Sequence, residues 1–176
     1  MGIGRSREQK VILAFGLSKL TYFLVNIILV YIAGVLIGNK FNCVSYFLTF
    51  YILRTYAGGY HAHSKTACFV VTCIIEVCAV FAIYLSHFSL YSLIVCIVLS
   101  FLIYMLAPIE SVNKPLTEEE QHLYKNKTAV AVLLCVIVGF LDNYTGYNCI
   151  CVGIYVALIE AFLMMLPNLA TRFNHS

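Results

Sequence analysis

The sequence predicts an all-α integral membrane protein: one polytopic domain, residues 1–176, of about six transmembrane helices. Some of these are expected to be short or re-entrant. An N-terminal amphipathic helix and two cytoplasmic termini complete the expectation. Three observations carry it. The chain is 62% hydrophobic and 11% charged, whereas soluble domains are roughly 45–50% apolar and about 25% charged. Its apolar residues fall in runs near the length of a bilayer crossing, about 20 residues. Its cations collect on one side when those runs are counted as crossings.

Each element follows from local pattern. Arg5, Arg7, Glu8 and Lys10 mark the start, and the apolar stretch after them runs on to Gly38. That is too long for the core of a cleavable leader, so the start reads as mature protein. Residues 6–18 are mixed in polarity and suit a helix lying flat on the inner surface. Residues 20–38 form the first span. Residues 41–53 form a short second segment, which crosses only with its flanks or re-enters. Residues 67–86 and 88–107 are the third and fourth. Residues 128–141 give a short fifth, and 148–166 the sixth. Pro108 and Pro167 are expected to stop the fourth and sixth, because proline cannot continue a helix.

Charge sets the orientation. With the N-terminus inside, Arg5, Arg7, Lys10, Lys19, Arg54, Lys65, Lys114, Lys125, Lys127 and Arg172 all face the cytoplasm, and Lys40 faces out. This bias accounts for the net charge of +3, so nucleic-acid binding is not expected. The chain has no P-loop, GxGxxG or HExxH motif and no internal repeat. An inverted-repeat transporter therefore has no support.

Chemistry is concentrated in one polar gap between the second and third segments, from Arg54 through Gly58, Gly59, His61, His63 and Lys65 to Cys68. Ser64 or Thr66 is a plausible cap for the third helix. Cys68 then falls in the first helical turn, where the helix dipole and Lys65 favour a thiolate, the nucleophilic form. His61 and His63 compete for the role of base. In one continuous helix, residues seven apart differ by roughly 10.5 Å along the axis, so His61 needs a chain break to reach Cys68. Gly58-Gly59 supplies one. Arg54 is an inner-surface anchor, or it pins the loop or a carboxylate through paired hydrogen bonds.

Glu76 and Glu160 lie within membrane segments, where carboxylates are functional candidates. Glu76 is about 12 Å along the helix from Cys68, too far for a triad. Glu160 could orient a histidine or contact substrate; the plainer reading makes both carboxylates helix-bridging. Of the eight cysteines, Cys43, Cys73, Cys78, Cys96 and Cys135 lie in apolar runs and read as packing thiols. Cys149-Ile-Cys151 is a weak redox or metal signal. His61, His63 and Cys68 number three, the minimum for a metal site, but no metal or other cofactor is expected.

Arg54, Ala57-Gly58-Gly59, His61 and Cys68 resemble the signature of AgrB, the accessory gene regulator B family of membrane cysteine endopeptidases. Ala107-Pro-Ile-Glu-Ser-Val-Asn-Lys-Pro-Leu116 is similar to that family's segment after its fourth membrane helix. The resemblance covers nearly the whole chain. It implies a multi-pass enzyme of the bacterial cell membrane, with its site facing the cytoplasm, acting on an AgrD-like quorum-sensing propeptide. By the family pattern Cys68 is the nucleophile and His61 the base. Removal of an acidic C-terminal tail leaves a thioester acyl-enzyme, and ring closure within the peptide gives a thiolactone or lactone. Membrane lipids and a second copy of the chain are the other expected partners. Lys65, Lys114, Lys125 and Lys127 would draw an acidic tail, against the local opposition of Glu118-Glu119-Glu120.

Two other classes compete. A small membrane carrier or receptor subunit would be indifferent to Cys68→Ser. A thiol redox enzyme built on Cys149 and Cys151 would be indifferent to Cys68 as well, but would be lost on alkylation of the outer thiols.

Overall fold

A chain in lipid must satisfy its backbone N–H and C=O groups internally, and the apolar runs do so as helices. The computed structural model of the chain describes residues 2–59, 65–87, 89–109 and 116–174. Among these are six helices: α1 (Gly2–Leu36), α2 (Lys40–Tyr56), α3 (Lys65–Leu85), α4 (Leu90–Leu106), α5 (Glu118–Thr145) and α6 (Cys151–Asn174). Four stretches are long and apolar enough to cross a membrane: Gln9–Leu36, Ala67–Leu85, Glu118–Thr145 and Cys151–Leu169. Leu90–Leu106 is apolar but shorter. The protein is an all-helical membrane protein.

Three boundaries differ most from expectation, each for a local reason. The amphipathic helix over residues 6–18 is not separate; it continues into the first span as α1. Helix α5 starts ten residues before its apolar run. Thr117 caps it: Thr117 Oγ1 accepts the Glu120 N–H at 3.3 Å, and Glu120 Oε2 accepts the Thr117 N–H at 3.1 Å. Glu118, Glu119 and Glu120 then lie in the first turn, where the helix dipole favours acids. Pro167 does not stop α6; the helix carries on to Asn174. Membrane helices tolerate an internal proline where other groups satisfy the freed carbonyl. Helix α4 ends at Leu106, just before the Ala107–Pro108 peptide, as expected.

Helix α6 is the most buried of the candidate spans. It packs most extensively on α2. Gly153 permits this approach, since a Cβ there would collide with the Asn42 carbonyl and the Ser45 hydroxyl. The seam is fastened by polar groups. The Gly153 N–H donates to Asn42 Oδ1 at 3.2 Å, Asn42 Nδ2 to the Asn148 carbonyl at 3.2 Å, and Ser45 Oγ to the Ile150 carbonyl at 2.9 Å. Helices α1, α3, α4 and α5 turn leucine, isoleucine, valine and phenylalanine outward, as a lipid-facing surface requires.

Candidate functional site

The site lies where α2 ends and α3 begins. Arg54 occupies the last turn of α2, where a cation suits the helix C-terminus. Cys68 falls in the first turn of α3 and is half-buried. Arg54 spans the gap. Its Nη2 donates to Cys68 Sγ at 3.4 Å and its Nη1 to Thr72 Oγ1 at 2.9 Å. Thr72 lies one turn beyond Cys68 and donates its hydroxyl to the Cys68 carbonyl at 2.9 Å. The Phe50 ring lies 5.9 Å from the guanidinium. The guanidinium thus contacts the Cys68 sulfur and the Thr72 hydroxyl at once.

The two stretches that carried the family resemblance touch each other. The Ile109 N–H donates to the Ala57 carbonyl at 2.9 Å, and Gly58 and Ile109 form an isolated parallel β-bridge. Gly58 has φ +90, a conformation that disfavours any side chain, and a Cβ there would collide with the Ile109 carbonyl. Asn168 of α6 holds the next residue, donating Nδ2 to the Gly59 carbonyl at 3.0 Å. The chain leaving α2 is thus held on both sides of Gly58 before it continues toward α3. A break in the chain at this pair was expected from sequence. Its fastening to Ile109 and Asn168 was not.

His61, His63 and Lys114 lie outside the described residues, as does the side chain of Lys65. Lys127 stands over the Tyr56 ring at 4.7 Å and Lys125 over the Tyr104 ring at 5.5 Å. Tyr56 closes α2, so Lys127 sits at the Arg54 end of that helix. Glu160 accepts the Tyr46 hydroxyl at 2.7 Å, bridging α6 and α2. Glu76 is buried within α3, two turns past Cys68. An apolar groove of about 590 Å³ runs between α2, α5 and α6, lined by Leu48, Ile52, Tyr56, Lys127 and Leu134 among others. It does not include Arg54 or Cys68, so the chemistry and this groove occupy different faces of α2.

Sequence reasoning missed three contributors: Thr72, Asn168 and Tyr46. Thr72 was legible, since a residue four past Cys68 shares its helix face. Asn168 and Tyr46 depend on how α6 lies against α2, which no local pattern records.

The fold and site define a polytopic helical membrane protein that holds a half-buried thiol under a guanidinium on the first turn of a helix. The chain belongs to the accessory gene regulator B (AgrB) family, whose model matches residues 3–164. It is similar to two proteins of Clostridium perfringens named as AgrB-like, one from strain SM101 and one, number 2, from strain 13. Each is 28% identical over 150 residues, covering 80% of this chain and 70% of the relative. AgrB-like protein 1 of strain 13 is 31% identical over 111 residues, 62% of this chain and 58% of that protein. No solved structure is a significant match. Family membership places the chain in the agr quorum-sensing pathway, whose propeptide is of AgrD type.

Proposed function

We propose that the protein is a membrane cysteine endopeptidase that removes the C-terminal tail of an AgrD-like propeptide. The observation that carries this reading is the Arg54–Cys68 contact. Among the eight cysteines, Cys68 combines partial exposure, a helix N-terminus and a guanidinium on its sulfur.

In this reading His61 takes the Cys68 proton and the sulfur attacks the peptide carbonyl before the tail. The tetrahedral oxyanion collapses, the C–N bond breaks, and the tail amine leaves with the proton from His61. A thioester joins the peptide to Cys68. A Cys or Ser side chain within the peptide then attacks the thioester. The ring closes as a thiolactone or lactone and the Cys68 thiol is restored. The thioester conserves acyl activation, so ring closure competes with hydrolysis where water is kept out. Gly58 and Gly59 shape the loop that carries His61 and His63. Lys65, Lys114, Lys125 and Lys127 attract the acidic tail. The charge bias puts this end of the bundle in the cytoplasm, with six crossings and both termini inside. The enzyme forms a homodimer in the bilayer, and no metal or ATP takes part in the steps above.

The test is co-expression with the propeptide encoded beside this gene, with the tail followed by mass spectrometry. Tail loss with the wild type, abolished in Cys68→Ala and His61→Ala, is the expected result. A tail left intact by the wild type overturns the peptidase reading. Tail loss that persists in either variant overturns the site assignment.

A further inference from the structure

The groove between α2, α5 and α6 has two chemically different ends. One is cationic and aromatic. Lys127 stands where the apolar run of α5 begins, and its ammonium lies 4.7 Å from the Tyr56 ring. Asn126 lines the groove beside it, and the Tyr124 ring meets Tyr56 edge-on at 5.7 Å. Tyrosines gather at the level of lipid head groups, so this end is interfacial. The other end is apolar. Ser45, Val138 and Ile150 line it. The Ser45 hydroxyl is occupied there, donating to the Ile150 carbonyl at 2.9 Å. Asp142, one turn past Val138, accepts the Ile150 N–H at 2.9 Å, which brings α5 to the same end.

Length decides what fits. Tyr56 to Ser45 on α2 and Lys127 to Val138 on α5 are each eleven residues, about 16 Å of helix. The hydrocarbon core of a bilayer is about 30 Å thick, so the groove is one leaflet deep. A spanning helix of a second copy would cross both leaflets and run past its end. A lipid tail ends at the midplane, as the groove does, and a tail laid in it puts a phosphate at Lys127. Charge agrees. No carboxylate pairs with Lys127 among the described residues. Glu118, Glu119 and Glu120 lie seven to nine residues back along α5, about 10–14 Å toward the water. That is beyond the screening length of about 8 Å at physiological ionic strength. Basic positions between membrane helices suit anionic head groups.

We propose that this groove binds one anionic phospholipid, with an acyl chain between α2 and α5 and its phosphate on Lys127 and Asn126. The phosphate competes with the acidic tail for Lys127; Lys65, Lys114 and Lys125 remain for the tail. The site itself does not rest on the peptidase reading.

The chain contains no tryptophan, so a single introduced one reports the lipid beside it. Leu134→Trp and Leu48→Trp place reporters on the two walls of the groove. Ile74→Trp, on the exposed face of α3 at a similar depth, is the control. Each full-length variant is reconstituted in phosphatidylcholine vesicles, and phosphatidylglycerol or phosphatidylcholine with brominated tails is titrated in as a contact quencher. In the groove, phosphatidylglycerol is expected to reach half-maximal quenching at about fivefold lower mole fraction, the worth of one interfacial lysine. Lys127→Gln should abolish that preference. Lys125→Gln, whose ammonium lies over Tyr104 on the α4 side, should preserve it. Equal half-points for the two lipids overturn the proposal, as does an equal preference at Ile74→Trp. A preference that survives Lys127→Gln, or is lost equally in Lys125→Gln, overturns it too. So does quenching at the control with none in the groove, which would mean that protein fills it. If neither groove variant folds, native mass spectrometry of the unsubstituted chain in an equal mixture of the two lipids decides. About fivefold more phosphatidylglycerol should be retained, and no excess in Lys127→Gln; no excess in the unsubstituted chain, or one kept by the variant, overturns the site. No arm reads cleavage, so failure here leaves the peptidase reading untouched.

Discussion

Among the cysteines in the first turn of a helix, Cys68 and Cys151 have opposite surroundings. Cys151 opens α6 and is fully buried. The Asp142 carboxylate faces that helix end. It accepts the N–H groups of Cys149 at 3.2 Å, Ile150 at 2.9 Å and Cys151 at 2.9 Å. Cys151 Sγ donates to Asn148 Oδ1 at 3.3 Å, so its thiol acts as a proton donor in a closed polar joint. Cys68 opens α3 half-exposed, with the Arg54 guanidinium on its sulfur. A helix N-terminus favours negative charge in both cases. At α6 that preference is met by Asp142, which leaves nothing for a thiolate. At α3 a cation adds to it. The sign of the charge brought by another helix separates the two thiols.

The largest effect should come from removing the two thiols in turn. Cys68→Ala is expected to lower propeptide cleavage below detection, because no acyl-enzyme can form. Cys151→Ala should leave cleavage within about twofold, at the stability cost usual for a small buried change, roughly 1 kcal/mol. Quantifying tail release from membranes of equal protein content decides it. Comparable losses in both variants would erase the distinction drawn between them.

Next in size is Arg54→Lys, which keeps the charge and loses the fork. Lysine cannot hold Thr72 Oγ1 and Cys68 Sγ together as the two guanidinium nitrogens do. Hydrogen bonds involving a charged group are worth about 1.5–3 kcal/mol. A fall of about 10- to 100-fold in single-turnover cleavage is expected, together with slower alkylation of Cys68. Cleavage at the wild-type rate would reduce Arg54 to an anchor at the helix end.

How much of this could be read from the chain depends on the range of the signal. Helices α3 and α4 are uninterrupted apolar runs, and their ends fall within two residues of expectation. The start of α5 was missed because hydropathy is blind to a charged helical extension, although Thr117 and Glu120 spell a capping box. The passage through Pro167 was missed because a proline signal is local, while its tolerance depends on the surroundings. In the site, Cys68 and the Gly58 turn were legible from residue type and spacing. The Arg54 contact was not: it needs the face of α2 and the face of α3 to be in register, a property of packing. The same holds for Glu160, whose partner Tyr46 lies on a helix more than a hundred residues away.

The other half of the comparison is sharpened by Asp142→Asn. The amide keeps the shape but replaces a charged acceptor of three N–H groups with a neutral one. It also puts an amino group where one of those donors points. A loss of about 2 kcal/mol is expected, read as a lower midpoint of thermal unfolding in detergent. Cleavage should be unchanged at a temperature where the variant is folded. Reduced turnover in fully folded Asp142→Asn would mean that the two helix ends are coupled through α6.

The smallest effect should be that of Asn168→Ala, at the other end of the same helix. Asn168 donates a neutral hydrogen bond to the Gly59 carbonyl, and the chain beside it is also held by the Ile109 N–H on the Ala57 carbonyl. Losing one of two fastenings costs about 1 kcal/mol, which corresponds to roughly fivefold in turnover if the clamp serves only to place the loop. Thermal stability should barely move, because α6 is fixed to α2 at its far end by Gly153, Asn42 and Ser45. The effect is expected in kcat, since in the proposed reading the Gly58-Gly59 turn serves to place His61. Asn168→Asp separates placement from mere polarity: a carboxylate cannot donate to the Gly59 carbonyl, so it should be at least as slow as alanine. If Asp at this position restores the rate, the hydrogen bond to Gly59 is not what holds the loop.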